Sequence, residues 1–214
     1  MTVPLTISPE LHQAVTTSDS FWRCHFEHAI NQGVGFHLAI LVQPYLRLLL
    51  EGQKTIESRF SVNRSAPFER VQANDVVFFK LSGGPIQGVG IVDDATFYRV
   101  TPDTVRHIQH QFSGALCITD PTFWEACEQA SFATLLHLRR VSRITPTPFQ
   151  KRDRRGWVVL HPHTTQQTLW ILLAKPPRVG NSGLCAFASG HPTASQSVPI
   201  DMVCRSSGFR QQYQ

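Results

Sequence analysis

Residues 44–60, PYLRLLLEGQKTIESRF, change from a helical pattern to a strand pattern within a few positions. Pro44 suits the first turn of a helix, where the missing N–H of proline is not needed. Gly52 lies where a left-handed residue commonly follows the last turn of a helix. The residues after it alternate between apolar and polar, as in a half-buried strand. The stretch therefore predicts a short helix, a tight turn and a strand.

Polar side chains cluster in the second half of this stretch. Thr55, Glu57 and Arg59 alternate onto one face of the predicted strand, and Lys54 lies at the turn before them. A buried lysine beside a carboxylate can serve acid–base chemistry. A lysine and an arginine together can bind a phosphate or a base edge. A structural ion-pair network is the third reading, and the spacing leaves all three open.

Strand patterns dominate the rest of the chain. The predicted strands are 37–42, 75–81, 86–98, 132–144, 156–160 and 168–174, and predicted helices are 101–112 and 120–130. Gly88 and Gly90 lie inside one strand and predict a bend or a close backbone approach. The pattern favours an α+β fold, with a small β-barrel or a strongly bent mixed sheet and short helices inserted between its strands.

Composition shifts divide the chain into three parts. Residues 1–36 predict one or two helices that lead into a main domain at 37–174. Residues 175–214 are rich in Pro, Gly and Ser with little periodicity, which indicates a flexible tail or a poorly packed extension.

The bulk composition is that of a globular protein with few charges. The 214 residues are 42% hydrophobic and 16% charged, and five widely spaced cysteines show no CxxC pair. A disulfide framework or a zinc site is not expected, and reduced thiols favour a cytoplasmic location. The N-terminus lacks the pattern of a signal peptide, and no apolar run approaches the length of a membrane span. No cofactor motif is present.

The positive charge belongs to one segment. The net charge is +5, yet residues 139–155 carry seven basic residues and one acidic residue. This segment is either a solvated loop or an edge that contacts phosphates. The predicted phosphate contacts are Lys151, Arg152, Arg154 and Arg155.

Other candidate residues lie outside this segment. Tyr45 could stack a base, although a tyrosine on a short helix also suits a core. Lys80 ends a strand before the turn SGGP, which would let a backbone approach a ligand, and Arg64 lies in a polar loop. His107 and His110 have the spacing of two metal ligands, but no third ligand has a convincing spacing, so no metal site is predicted.

The stretch QPYLRLLLEGQKTIESRF resembles the signature of ASCH domains, G-x-K-x-x-E-x-R. Its members here are Gly52, Lys54, Glu57 and Arg59. The resemblance continues through residues 63–90, DPTFWEACEQASFATLLHL and PFQKRDRRGWVVL, and covers roughly residues 37–160 in the manner of a bacterial branch of the family. It implies a PUA-like β-barrel whose signature residues line a cleft for RNA or a nucleotide-like ligand.

The resemblance also implies an enzymatic alternative. One branch of ASCH proteins removes the acetyl group of acetylated cytidine with a Lys, a Thr and a Glu, and its lysine matches Lys54. Its threonine falls at Glu57, and for its glutamate only Glu125 and Glu128 lie on a nearby helix. Some relatives are described as ribonucleases, which Lys54 and Glu57 could support by acid–base catalysis.

The sequence thus predicts an ASCH-like domain that binds RNA or a modified nucleoside or nucleotide. The predicted ligand contacts are Lys54, Thr55, Glu57, Arg59, Tyr45, Arg64 and Lys80. A hydrolase in the same cleft and a protein-interaction module with a structural motif are the alternatives. The sequence assigns neither an oligomeric state nor a particular RNA.

Overall fold

The computed structural model describes residues 7–150 and 154–163. Its helices are α1 (Pro9–Thr16), α2 (Ser20–Gln32), α3 (Tyr45–Leu50), α4 (Pro102–Leu116) and α5 (Pro121–Cys127). Its strands are β1 (Phe36–Leu41), β2 (Ile56–Ser61), β3 (Val76–Leu81), β4 (Ile86–Arg99), β5 (Phe132–Thr147) and β6 (Trp157–His161).

The strands form a single mixed sheet within the described residues. The strand order is β2-β5-β4-β3-β1-β6, in which β1 and β3 are parallel and the other neighbours are antiparallel. β1 therefore lies between β3 and β6, both of which follow it in the chain. The predicted α+β fold, a strongly bent mixed sheet with inserted short helices, is confirmed.

The sheet curls so that its first and last strands approach each other. Register shifts interrupt the pairing of β4 with β5 at three places, and such bulges bend a strand. Arg59 on β2 donates a hydrogen bond to the carbonyl oxygen of Ile40 on β1, and its guanidinium lies over the ring of Trp157 on β6. These contacts join opposite ends of the strand order and enclose a concave surface.

The helix α3 packs directly on the sheet. A Cβ at Gly88 of β4 would lie 2.3 Å from Cδ2 of Leu50, so a larger residue there would have to displace the Leu50 side chain. Gly90 has a similar tight neighbour in Phe79, at 3.0 Å. The sequence predicted a bend or a close backbone approach at these glycines, and their nearest neighbours are side chains; the nearest backbone atom is the Ser142 carbonyl oxygen, 3.3 Å from a Cβ at Gly88.

The turn after α3 follows from its glycine. Gly52 has a φ of +75°, and its N–H donates to the carbonyl of Leu49. The next N–H, of Gln53, donates to the carbonyl of Leu48. This is the Schellman arrangement, which satisfies two carbonyls at the helix end. The chain then turns directly into Lys54 and β2.

The N-terminal helices share a core with the sheet. Leu11 and Val15 of α1 and Trp22 and Phe26 of α2 pack with residues of β1, β3 and β4 such as Phe36, all of them almost fully buried. Burial of side chains of this size stabilises by about 1.5–3 kcal/mol each.

Three sequence predictions lie outside the described residues. They are the strand at 168–174, the tail at 175–214, and the phosphate contacts Lys151 and Arg152. In the part of the chain that the structure describes, no helix is long and apolar enough to cross a membrane.

Candidate functional site

A cleft of about 630 Å³ opens on the concave side of the sheet. Its walls come from the ends of β1 and β3, from β2, from the start of α3 and α5, and from the segment before β6. The residues that line it are Ile40, Leu41, Val42, Tyr45, Lys54, Glu57, Ser58, Arg59, Lys80, Ser82, Gly83, Gly84, Ile118, Phe123, Phe149, Arg154, Arg155 and Gly156. Its volume suits a small organic ligand or one nucleotide.

Lys54 lies in the turn before β2, and its buried ammonium contacts the C-terminal end of α4. Its Nζ donates to the carbonyl oxygen of Leu116 at 3.2 Å and lies 3.4 Å from Oε2 of Glu57. The Leu116 carbonyl belongs to the last turn of α4, where unpaired carbonyls favour a cation. Burial nevertheless lowers the pKa of Lys54, against the opposing effect of the Glu57 carboxylate. The side chain is therefore a cation that deprotonates more readily than an exposed lysine.

Glu57 joins the two cations of the signature. Its Oε2 faces Lys54, and its Oε1 lies 2.8 Å from Nη2 of Arg59. The residue is 5% exposed, and Lys54 is 4% exposed. A buried carboxylate between two cations is held by charge and by hydrogen bonding together. The three charged residues of the signature thus form one continuous row along the cleft.

Arg59 is held on three sides. Nη2 contacts the Glu57 carboxylate and donates to the Ile40 carbonyl oxygen at 2.9 Å, and the Trp157 ring centroid lies 5.6 Å from the guanidinium carbon. Its Nε–H is buried and finds no acceptor among the described residues. Buried donors are normally paired, so this unpaired N–H is unusual for a residue that lines the cleft.

Cations outnumber carboxylates in the described lining. Lys80, Arg154 and Arg155 add to Lys54 and Arg59, whereas the lining contains one carboxylate, that of Glu57. Lys80 is 7% exposed and its Nζ donates to the carbonyl oxygen of Leu81. The excess of positive charge favours an anionic ligand.

Three aromatic rings line the cleft, those of Tyr45, Phe123 and Phe149. Tyr45 lies under the Lys54 ammonium, with 5.7 Å from Nζ to the ring centroid. Burial raises the pKa of the Tyr45 hydroxyl, with a further contribution from the Asp120 carboxylate. Its phenol therefore remains protonated and able to donate at neutral pH. Phe123 of α5 and Phe149, which follows β5, supply the other two rings.

Two predicted contact residues lie away from the cleft. Thr55 is exposed, and it lines a second depression of about 510 Å³ on the other side of the turn. Arg64 is half-exposed, contacts the Glu69 carboxylate and lies over the Phe68 ring. The other predicted contacts that the structure describes line the cleft: Lys54, Glu57, Arg59, Tyr45, Lys80, Arg154 and Arg155.

The glutamates considered for an enzymatic role do not line the cleft. Glu125 and Glu128 lie at the end of α5 and beyond it, and both are exposed. Among residues 7–150 and 154–163, no group of three or more His, Cys, Asp or Glu side chains could hold a metal ion.

Sequence reasoning missed several residues around the cleft. The sequence does not single out Phe123, yet Phe123 lines the cleft, whereas its neighbour Trp124 is buried. The sequence does not predict that the ring of Trp157, at the start of β6, contacts Arg59. The turn SGGP was recognised from the sequence, and its residues Gly83 and Gly84 line the cleft together with Lys80.

Comparisons with known proteins return likenesses of fold. No protein-family model matches the chain, and no curated protein matches its sequence. The crystal structure of ASCH from Zymomonas mobilis is similar over 64% of this chain and 94% of that chain, at 12% identity and a TM-score of 0.48. The N-terminal domain of Staphylothermus marinus McrB is similar over 64% of this chain and 80% of that chain, at 8% identity and a TM-score of 0.32.

Proposed function

We propose that the cleft binds RNA or a nucleotide-like ligand, including a modified nucleoside. The observation that carries the proposal is the buried row of Lys54, Glu57 and Arg59, with the unpaired Nε–H of Arg59, inside a cleft that is rich in cations. Arginine and lysine bind phosphate oxygens, and a carboxylate accepts from the amino groups of bases.

The aromatic rings support a ligand with a flat ring system. Tyr45 and Phe123 offer faces on which an unstacked base could lie, and stacking of this kind is tolerant of sequence. Arg154 and Arg155 would contact the phosphate backbone, as would Lys151 and Arg152, where affinity depends on charge.

Salt-dependent RNA binding tests this proposal. A labelled single-stranded RNA of ten nucleotides is titrated with the full chain at several salt concentrations. We expect affinity to fall steeply with salt, and Arg155→Ala to reduce the log–log slope by about 0.7. Arg106→Ala on α4 is the matched control, because this exposed arginine pairs with Asp103 and lies outside the cleft lining. A flat salt response, or equal effects of both variants, contradicts the proposal.

A hydrolase in the same cleft is the second candidate. It is favoured by the lowered pKa of Lys54 beside the Glu57 carboxylate, because a lysine with a lowered pKa releases its proton more readily. Incubation with acetylated cytidine and with RNA, followed by mass analysis, tests it. Product that is absent in Lys54→Met supports an enzyme, and intact substrates contradict this candidate. Binding of neither ligand would leave a protein-interaction module.

A further inference from the structure

A row of buried polar side chains, joined by hydrogen bonds, runs from the loop before β3 to the guanidinium of Arg59. It consists of Asp75, His37 and Trp157, which are 0%, 0% and 3% exposed. None of the three lines the cleft. Buried polar side chains are costly unless they are paired, so a connected set of this kind needs a physical account.

Asp75 is the fixed end of the chain. Its Oδ1 accepts from the N–H of Gly35, and its Oδ2 accepts from the N–H of Gln72 and lies 2.9 Å from Nε2 of His37. Nε2 of His163 also contacts Oδ2, at 3.0 Å. A Cβ at Gly35 would lie 2.8 Å from Oδ1, so the glycine is needed to admit the carboxylate. The carboxylate is thus held by backbone groups and cannot turn.

The direction of donation is determined at His37. The indole N–H of Trp157 can only donate, and it lies 3.4 Å from Nδ1 of His37, a long hydrogen bond. Nδ1 is therefore the acceptor, and Nε2 carries the proton that His37 donates to Asp75. Asp75 thereby holds the imidazole in one orientation.

The chain ends on the face of Trp157. Trp157 pairs with Ala39 of β1, and its ring lies under the guanidinium of Arg59, 5.6 Å from centroid to guanidinium carbon. The geometry points to a positioning role for Asp75, His37 and Trp157: they hold the indole on which the Arg59 guanidinium lies, and so fix the orientation of this cleft-lining arginine. The inference rests on the proposed function, because it concerns the orientation of the arginine that would bind the ligand.

The role has a consequence that simple core packing lacks. If Trp157 acts through Arg59, its replacement weakens ligand binding only while Arg59 is present. A merely structural tryptophan would weaken binding equally with and without Arg59. A double-mutant cycle on binding separates the two.

The cycle uses Trp157→Phe, Arg59→Ala and the double variant in the full chain, with the ten-nucleotide RNA as probe. Trp22→Phe is the matched control, because Trp22 is also fully buried but packs in the core cluster of α1 and α2. We expect Trp157→Phe to weaken binding about fivefold in the wild-type background and less than about twofold with Arg59→Ala. Trp22→Phe should leave RNA binding unchanged in both backgrounds. Equal losses in both backgrounds, or no loss, overturn the inference.

A second measurement needs no ligand. The side-chain N–H signal of Arg59 Nε, identified by its absence in Arg59→Lys, is followed by ¹⁵N NMR. We expect a slowly exchanging signal that shifts and exchanges faster in Trp157→Phe but not in Trp22→Phe. If the Arg59 signal neither shifts nor exchanges faster in Trp157→Phe, the inference is overturned even if RNA binds. A signal that responds while RNA fails to bind refutes the proposed function and leaves the positioning role standing. If Trp157→Phe does not fold, Trp157→Tyr replaces it, since it also removes the indole N–H.

Discussion

Replacing Glu57 by glutamine removes the negative charge between two buried cations. Its carboxylate lies 3.4 Å from Nζ of Lys54 and 2.8 Å from Nη2 of Arg59. Glutamine has nearly the same shape, so packing changes little, but its NH₂ group would face a donor on one side. Removing one partner of a buried ion pair costs about 3–5 kcal/mol. We expect a loss of about 3 kcal/mol in the free energy of unfolding, because Lys54 can relieve part of the penalty by releasing its proton.

The loss should depend on pH in a direction that the structure determines. Burial holds the pKa of Lys54 below its ordinary value, and the Glu57 carboxylate raises it against that effect. Without Glu57 the folded-state pKa of Lys54 falls further. The folded state then binds fewer protons than the unfolded state between that lower pKa and the ordinary lysine pKa, so stability rises with pH across this window. The penalty of Glu57→Gln is largest at low pH and shrinks as the pH rises.

Urea denaturation of wild type and Glu57→Gln from pH 6 to pH 9.5 is the assay. Glu51→Gln is the matched control: the Glu51 carboxylate also faces two arginines, Arg47 at 3.1 Å and Arg143 at 3.8 Å, but its side chain is 33% exposed. We expect the control to cost less than about 1 kcal/mol. In a Lys54→Met background the pH dependence of Glu57→Gln should disappear. Equal costs for the two glutamates, or a penalty that grows with pH, would refute the reasoning.

Two further predictions concern the turn after α3 and the buried thiol. Gly52→Ala should lower the free energy of unfolding by about 1 kcal/mol, because alanine is strained at a φ of +75° although no atom lies within 4 Å of the added Cβ. Gly114 lies inside α4 and is equally unobstructed, so Gly114→Ala should instead raise the free energy of unfolding by about 0.5–1 kcal/mol. Urea denaturation of both variants is the measurement, and effects of the same sign would contradict the argument. Cys127 should be alkylated far more slowly at pH 8 than the exposed Cys24, because burial raises the pKa of the Cys127 thiol to about 12. Mass spectrometry measures both rates, and similar rates would contradict this prediction.

Local patterns allowed the individual elements to be predicted from the sequence. Pro44 and Gly52 bound a six-residue helix, because the helix start tolerates proline and the helix end needs a left-handed residue. The alternation after Gly52 predicted a strand with Glu57 and Arg59 on one face, and both line the cleft. These features depend on neighbours in the chain, so a single sequence contains them.

The site is harder to predict from the sequence, because its residues come from distant segments of the chain. Thr55 was assigned to the strand face of Glu57, but its N–H donates to the carbonyl of Ala115 and it lies outside the cleft lining. Phe123 reaches the cleft only through the packing of α5. No periodicity encodes such placements, since they depend on which elements meet in space.

The sequence by itself determined the helix, the turn, the strand and the order of charges from Lys54 to Arg59, because these depend on backbone preferences and on side-chain alternation over a few residues. Only the tertiary structure decided that those charges are buried and that Arg59 lies against Trp157, 98 positions along the chain. The physical reason is the curl of the sheet, which brings β2 to β1 and β6 although they stand at opposite ends of the strand order. Burial then lowers the pKa of Lys54 and leaves the Nε–H of Arg59 without a protein acceptor in the described residues.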